Sequence, residues 1–388
     1  MMRLDNTCQR AIIKSSRARA RLHRFTQPCT KGELLMANVS IKQIADLAGV
    51  SRGTVDRALN DRYGIDPDLK ARILKIATDL GYKSNRAGKM LSIRKSPLRI
   101  GVQMPSIGND FFLDVEQGLL AAAKTYEDFG LTLEIRTMKG FDAHTQVAQV
   151  RELVASGIHG LALVPINHPD VVQLLDELSD KNIPVITFNT DLTDGKRLGF
   201  VGNDYWRSGA TAAGVLRLLS HHEPASVAIL TGSVQMLGHN QRIHGFTQVI
   251  RQYCPDIEII DVFETNDDDL TAYDLTRNLL VQEPRLTALY LTAGGVTGAA
   301  RAVEVAGRSG QVQVICHDLT DAEKMHLDRG TISVTIGQQP FDQGYKPIQY
   351  LFEYLLDGTL PPAETITRSE IFIREHFISP PAPAEQRR

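Results

Sequence analysis

Arg52 and Arg57 lie in one short polar stretch, Ser51-Arg52-Gly53-Thr54-Val55-Asp56-Arg57. A guanidinium presents a planar fork of donors that fits guanine O6 and N7 together. Ser51, Thr54 and Asn60 carry short hydroxyl and amide groups suited to phosphate oxygens, with Gly53 on the same face. A second set is spread along the chain: Asn109, Asn167, Asn189, Asp204, Arg242, Asp318 and Gln338, with Phe111 and Phe112. Amide, carboxylate and guanidinium groups beside a stacking aromatic suit a polyhydroxylated ligand, because every desolvated hydroxyl needs a donor and an acceptor. Neither set spells an enzyme. The spacing contains no Ser-His-Asp arrangement, P-loop or metal cluster, and Gly294-Gly295 with Gly298 does not match G-x-G-x-x-G. No cofactor and no metal is expected.

The first set needs a helix to present it, and the flanking sequence supplies three. Ser40-Ile41-Lys42-Gln43 reads as a capping box, followed by Ile41, Ile44, Ala45 and Ala48 on one helical face. Gly49 stops that helix, Val50 plugs the turn, and Ser51 can cap a second helix buried through Val55, Ala58 and Leu59. Asp66-Pro67 starts a third, with Leu69, Ile73, Ile76, Ala77 and Leu80 inward and Gly81 at its end. Three short helices with a tight turn between the first two make a helix-turn-helix, whose second helix is expected to enter the major groove.

The second set needs strand ends. From Leu98 onward, strand-like runs alternate with helical ones: 99–104, 131–135, 160–165, 184–189, 227–231, 288–292, 312–316 and 332–336. This alternation predicts parallel, doubly wound α/β units. Their length, about 280 residues, suggests two lobes. Such sheets bind ligands beyond the carboxyl ends of their strands, where the second set falls. The expected fold is a small all-α helix-turn-helix head on a two-lobed α/β body with parallel doubly wound sheets.

Charge supports the division. Of 388 residues and a net charge of −2, residues 1–35 carry +6, residues 36–99 carry +7 and the remainder −15. A basic front on an acidic body suits contact between the front and a polyanion. No apolar run is long enough to span a bilayer, and the basic start lacks the apolar core of a secretory signal. No membrane partner and a cytoplasmic, nucleoid-associated location are therefore expected. Cys8, Cys29, Cys254 and Cys316 show no metal-ligand spacing. Residues 1–37 read as a disordered basic extension. Lys31-Gly32-Glu33 can be encoded by a purine-rich stretch resembling a ribosome-binding site upstream of Met36, so the extension is either untranslated or a basic arm on DNA. The tail, 379–388, is Pro-rich and lacks the heptads of a tetramerising coiled coil.

The run Ile41-Lys42-Gln43-Ile44-Ala45, Ala48-Gly49-Val50-Ser51 and Thr54 to Asn60 resembles the head of the lac/gal repressor family. Gly81-Tyr82-Lys83-Ser84-Asn85-Arg86-Ala87 resembles that family's entry into its hinge. The resemblance implies a reading head at 38–82 and a hinge at 83–97 that folds on operator DNA. It places Asn85 and Arg86 at the DNA and Leu91 as a minor-groove wedge. Gly88 departs from what a hinge helix favours. The body, 98–378, resembles periplasmic sugar-binding proteins of the ribose kind. Its lobes are implied at about 98–203 with 339–367 and 204–338 with 368–378. Asn109-Asp110-Phe111-Phe112, the 183–189 strand end, Arg242 before Gly245-Phe246, His317-Asp318 and Thr335-Ile336-Gly337-Gln338 carry this likeness. Ala293-Gly294-Gly295 departs where the family has Asn-Asp, so one ligand contact is missing. The implied function is a homodimeric, effector-controlled repressor of a carbohydrate or polyol operon. Its partners are double-stranded operator DNA and a sugar, polyol or derivative, and the alternative is a solute receptor without a DNA role.

Overall fold

Ser40 opens the first helix through a reciprocal capping box with Gln43: Ser40 N donates to Gln43 Oε1 at 2.7 Å, and Ser40 Oγ accepts from Gln43 N. In the computed structural model, which describes residues 39–59, 64–82, 97–105, 107–221 and 223–378, α1 spans Ile41–Ala48, α2 Arg52–Leu59 and α3 Pro67–Asp79. Gly49 ends α1 at φ +68, a left-handed turn that glycine adopts without strain. Asp66 Oδ1 caps α3 by accepting from Asp68 N and Leu69 N, both at 3.1 Å. The three helices close on Ile44, Ala45, Ala48, Val55, Ala58, Ile73 and Ala77. Leu80, expected inside, is exposed, because α3 ends at Asp79 and the chain turns away there. The expectations for residues 1–37, for the 379–388 tail and for Asn60, Asn85, Arg86 and Leu91 lie outside the described residues.

The chain divides into two compact units, Met1–Lys83 and Ser84–Arg388. The second alternates strand and helix in this order: β1 (Leu98–Met104), α4 (Phe111–Tyr126), β2 (Leu131–Thr137), α5 (Ala143–Ala155), β3 (Gly160–Leu163), α6 (Pro169–Asp180), β4 (Val185–Asn189) and β5 (Gly199–Asn203). There follow α7 (Tyr205–Leu219), β6 (Ala225–Thr231), α8 (Leu237–Tyr253), β7 (Ile257–Glu264), α9 (Asp269–Gln282), β8 (Ala288–Leu291), α10 (Val296–Val305) and β9 (Gln313–His317). The unit ends with α11 (Asp321–Asp328), β10 (Val334–Gly337), α12 (Pro340–Asp357), β11 (Glu364–Thr367) and β12 (Glu370–Phe372).

Two sheets result. The first has the order β11-β5-β4-β3-β1-β2 and is parallel throughout. The second has the order β12-β10-β9-β8-β6-β7, parallel except for β12 against β10. The chain passes between sheets three times: after Asn203, after Gly337 and between Thr367 and Glu370. Central strands are buried on both faces, so β3 and β8 read as continuous apolar runs rather than alternating ones.

In each lobe a pair of helices crosses at glycines. A Cβ on Gly118 of α4 would lie 2.1 Å from Phe341 O, and one on Gly344 of α12 would lie 2.0 Å from Val115 O. In the second lobe, Gly209 of α7 meets Arg242 O at 2.0 Å and Gly245 of α8 meets Trp206 O at 2.0 Å on the same test. These crossings set α4, which carries Phe111 and Phe112, close to α12, and α8, which carries Arg242, close to α7.

Candidate functional site

The carboxyl ends of both sheets converge on a narrow cleft. From the first lobe come Asn109, Phe111, Phe112, Phe141, Asn189 and Thr190; from the second, Tyr205, Met236, His239, Arg242, Asp267 and Asp318; and Gln338 from the second crossover. Seven of the eight residues expected to hold an effector therefore meet in one place. Asp204 does not: its side chain is 41% exposed and its carboxylate caps α7, accepting from Arg207 N at 3.0 Å. Asn167 also lies outside the cleft lining and pairs with Thr193.

Arg242 is the dominant group. It is only 2% exposed, and its Cζ lies 4.8 Å from the centroid of the Tyr205 ring. One nitrogen, Nη1, donates to Thr292 O at 2.5 Å, whereas Nε and Nη2 are buried without a protein partner. A buried guanidinium with unmet donors is costly, so those N–H groups call for an acceptor in the cleft. Asp318 faces the same space with φ +74, a left-handed conformation that costs a non-glycine residue energy. Burial raises its pKa to about 6, against the opposing pull of Arg242 and of the Gln338 hydrogen bond. Gln338 Nε2 donates to Asp318 Oδ1 at 2.8 Å, fixing the carboxylate. Gln343 in turn donates to Gln338 O at 2.8 Å and accepts from Asn189 Nδ2 at 3.2 Å.

Asn109 accepts from Phe111 N at 3.1 Å through Oδ1, which starts α4 and sets Phe111 and Phe112 edge to face with centroids 5.2 Å apart. Asn189, at φ +61, takes the Tyr205 hydroxyl on its carbonyl. His239 Nδ1 faces Ser233 N at 3.1 Å; burial first, then Arg242, lowers its pKa against the pull of Asp267. His317 lies beneath in the core, bonded to the Tyr290 hydroxyl at 2.9 Å and held neutral by burial. Sequence reasoning missed Phe141, Thr190, Tyr205, Met236, His239 and Asp267. The signal for Asp267 was an Asn-Asp-Asp-Asp run directly after β7, a strand that the sequence pattern did not announce.

On the head, Ser51, Arg52, Gly53 and Arg57 are exposed on α2 and Thr54 is half-buried. Ser51 Oγ caps the helix, accepting from Thr54 N at 3.1 Å, and pairs with Thr54 Oγ1 at 2.9 Å. Arg57 Nε donates to Gly53 O at 3.2 Å, which leaves its terminal nitrogens outward. Among the described residues no helix is long and apolar enough to cross a membrane, and no cluster of His, Cys, Asp and Glu could hold a metal ion.

Head and cleft define a class, a helix-turn-helix carried on a two-lobed binding-protein-like body. Residues 40–85 match bacterial regulatory proteins of the lacI family, and residues 100–359 match the periplasmic binding protein domain. The chain belongs to the lacI family of bacterial regulatory proteins and is a DNA-binding transcription regulator. It is 25% identical over 317 residues, 80% of this chain and 90% of the relative, to the ribose operon repressor of Bacillus subtilis. It is 28% identical over 273 residues, 69% of this chain and 84% of the relative, to the D-ribose/D-allose-binding protein of Pseudomonas aeruginosa. Among solved structures it is similar to GanP, a glucose-galactose binding protein from Geobacillus stearothermophilus, with TM-score 0.67 and 26% identity, covering 73% of this chain and 99% of that one.

Proposed function

We propose that the protein is a homodimeric repressor of a carbohydrate- or polyol-utilisation operon, controlled by a sugar, polyol or derivative bound between its lobes. The carrying observation is Arg242, buried with Nε and Nη2 unpartnered beside the fixed carboxylate of Asp318, the amides of Asn109 and Asn189 and the Phe111–Phe112 pair. Hydroxyls satisfy such a donor-and-acceptor lining, and a sugar ring face stacks on an aromatic. Relatives named for ribose, allose, glucose and galactose support the same class of ligand. On this reading residues 38–82 form the reading head and 83–97 the hinge. Effector binding changes the angle between the lobes, 98–203 with 339–367 and 204–338 with 368–378, and so the spacing of two hinges on a near-palindromic site.

Footprinting on DNA upstream of the gene and its neighbours tests the DNA half; a protected inverted repeat is expected, and its absence there would overturn the repressor reading. Thermal-shift screening of the full chain against sugars and polyols tests the other half, since a ligand bound to the native state raises its stability. An Arg242→Met variant should lose the response while keeping the footprint.

A further inference from the structure

Asp267 enters the cleft from the loop between β7 and α9, and the structure around it is shaped to admit it. Asn266 and Asp267 are consecutive non-glycine residues in the left-handed region, at φ +54 and +55. The loop is held in that costly form by Thr265 N to Thr231 O at 2.7 Å and Asn266 N to Gly232 O at 2.8 Å. The Asp267 carboxylate receives Gly294 N on Oδ1 at 2.9 Å and Asn109 Nδ2 on Oδ2 at 3.0 Å. Asn109 belongs to the opposite lobe. Two donors orient the group but leave lone pairs on both oxygens.

Two glycines make the space. A Cβ on Gly232 would lie 2.1 Å from Asp267 Oδ1, and one on Gly294 would lie 2.9 Å from Asp267 Cβ and 3.1 Å from Asn109 Nδ2. Neither glycine has a positive φ, so it is the neighbouring carboxylate and not the backbone that requires them. The Ala293-Gly294-Gly295 stretch, which reads in sequence as a lost contact, is the room this acid occupies.

We propose that Asp267 is a specificity-determining residue of the effector cleft: it receives an effector hydroxyl and, with Asp318, makes the cleft select uncharged polyols over sugar acids and sugar phosphates. This rests on the reading of the cleft as the effector site. Arg242 is the one guanidinium in the lining, against two carboxylates, and His239 is held neutral by burial. A carboxylate or phosphate on the ligand would satisfy Arg242 but would stand beside Asp267 and Asp318 in a half-closed cleft, which screens like charges less than open water does. A hydroxyl accepts from Arg242 and donates to an acid, so it alone serves both sides.

The test is calorimetry and thermal shift on the full chain near pH 7.5. The uncharged probes are D-ribose, D-allose, D-galactose and ribitol; the ionised ones are D-glucuronate, D-galacturonate and D-ribose 5-phosphate. An uncharged probe should bind, and the ionised ones should bind at least about a hundredfold more weakly. Asp267→Asn and Gly294→Ala should each weaken the responding probe by roughly ten- to a hundredfold, the usual weight of one hydrogen bond to a charged group. Gly294→Ala acts by displacing the Asp267 side chain, so it decides the matter if Asp267→Asn does not fold. Binding of an ionised probe as tight as any uncharged one, or an unchanged Kd in a folded variant, overturns the inference and leaves the cleft as an effector site. If no probe of either class binds, the effector-site reading falls and the inference with it.

Discussion

Gly209 and Gly214 lie on the same helix, α7, and alanine at the two positions should have opposite effects. A Cβ on Gly209 would sit 2.0 Å from Arg242 O, 2.7 Å from its C and 2.8 Å from its Cα, all backbone atoms of α8. Ordinary carbon contacts lie at about 3.5–4.0 Å, so the helices must part by roughly 1–2 Å. Overpacking of this kind costs about 1–3 kcal/mol, and a backbone clash this short belongs at the upper end. Against it stands the intrinsic gain of about 1 kcal/mol for replacing glycine by alanine inside a helix. The net for Gly209→Ala is a destabilisation of about 2 kcal/mol, or roughly 3 °C in Tm for a unit of this size. Gly214 has nothing within 4 Å of its added Cβ, so Gly214→Ala keeps only the favourable part and should stabilise by up to about 1 kcal/mol. Urea unfolding of the full chain measures both as shifts in midpoint at constant slope. Two midpoints moving in the same direction would refute the argument that α7 and α8 cross at these glycines. Because α8 carries Arg242, Gly209→Ala should also weaken effector binding, and Gly214→Ala should not.

Arg57→Ala should lower affinity for the operator by roughly ten- to a hundredfold in a gel shift while the effector still raises Tm; unchanged affinity removes Arg57 from the base contacts. Ser40→Ala abolishes the capping box and should cost the head about 1 kcal/mol, read as faster amide exchange in α1; equal protection would show the cap to be idle. Effector affinity should be full above about pH 7 and decline as pH falls through about 6, because burial sets the Asp318 pKa at about 6 and a protonated acid is a weaker acceptor for the effector's hydroxyl. Arg242 and Gln338 favour the ionised form there and Glu323 and Asp267 oppose it. In the effector-free chain the sign reverses: a raised carboxyl pKa contributes most stability below its unfolded value of about 3.9 and loses it as pH rises through about 6. Calorimetry across that range checks the binding limb, and a profile as flat as that of Asp318→Asn would rule out Asp318 as the acceptor.

The head was legible because its signals are local. Ser40 and Gln43, Gly49, Ser51, and Asp66 with Pro67 each act within four residues, and the structure uses each as the sequence suggests. Leu80 failed because periodicity cannot see where a helix stops being covered. In the body, the strands read from apolar runs are central ones except β2, which lies at an edge. Those missed have physical reasons. Gly199–Asn203 carries two glycines and little pattern; Ile257–Glu264 is an edge strand, half-exposed along its length; Glu364–Thr367 and Glu370–Phe372 are short and exist through partners far away in sequence. The same limit applies to the cleft. An acid just past a strand end can be a ligand group or a helix cap, and Asp204 and Asp318 differ only in what faces them. Asp267 was invisible because its role depends on the room left by Gly232 and Gly294, each more than twenty residues away.

The cleft also bears on how an effector could act. The lobes are joined by hydrogen bonds from Asn109 to Asp267 at 3.0 Å, Asn167 N to Gln235 O at 3.0 Å and Gly238 N to Thr190 Oγ1 at 3.0 Å, and by Tyr205 to the Asn189 carbonyl. Such bonds contribute about 0.5–1.5 kcal/mol each, so this set favours contact between the lobes by a few kcal/mol. The same contact seals Arg242 with Nε and Nη2 unpaired, at about 1–3 kcal/mol for each buried donor. The two terms are of one size and opposite sign. A ligand shifts such a balance only by its difference in affinity for the two states. An effector that touches both lobes when they meet, and one when they do not, carries that difference. Carrying the chain from one part in a hundred joined to nearly all joined takes about 5.5 kcal/mol. Arg242, Asp267 and Asp318 all lie on the second lobe, so the difference must come from contacts added by Asn109, Asn189 and the Phe111–Phe112 pair of the first.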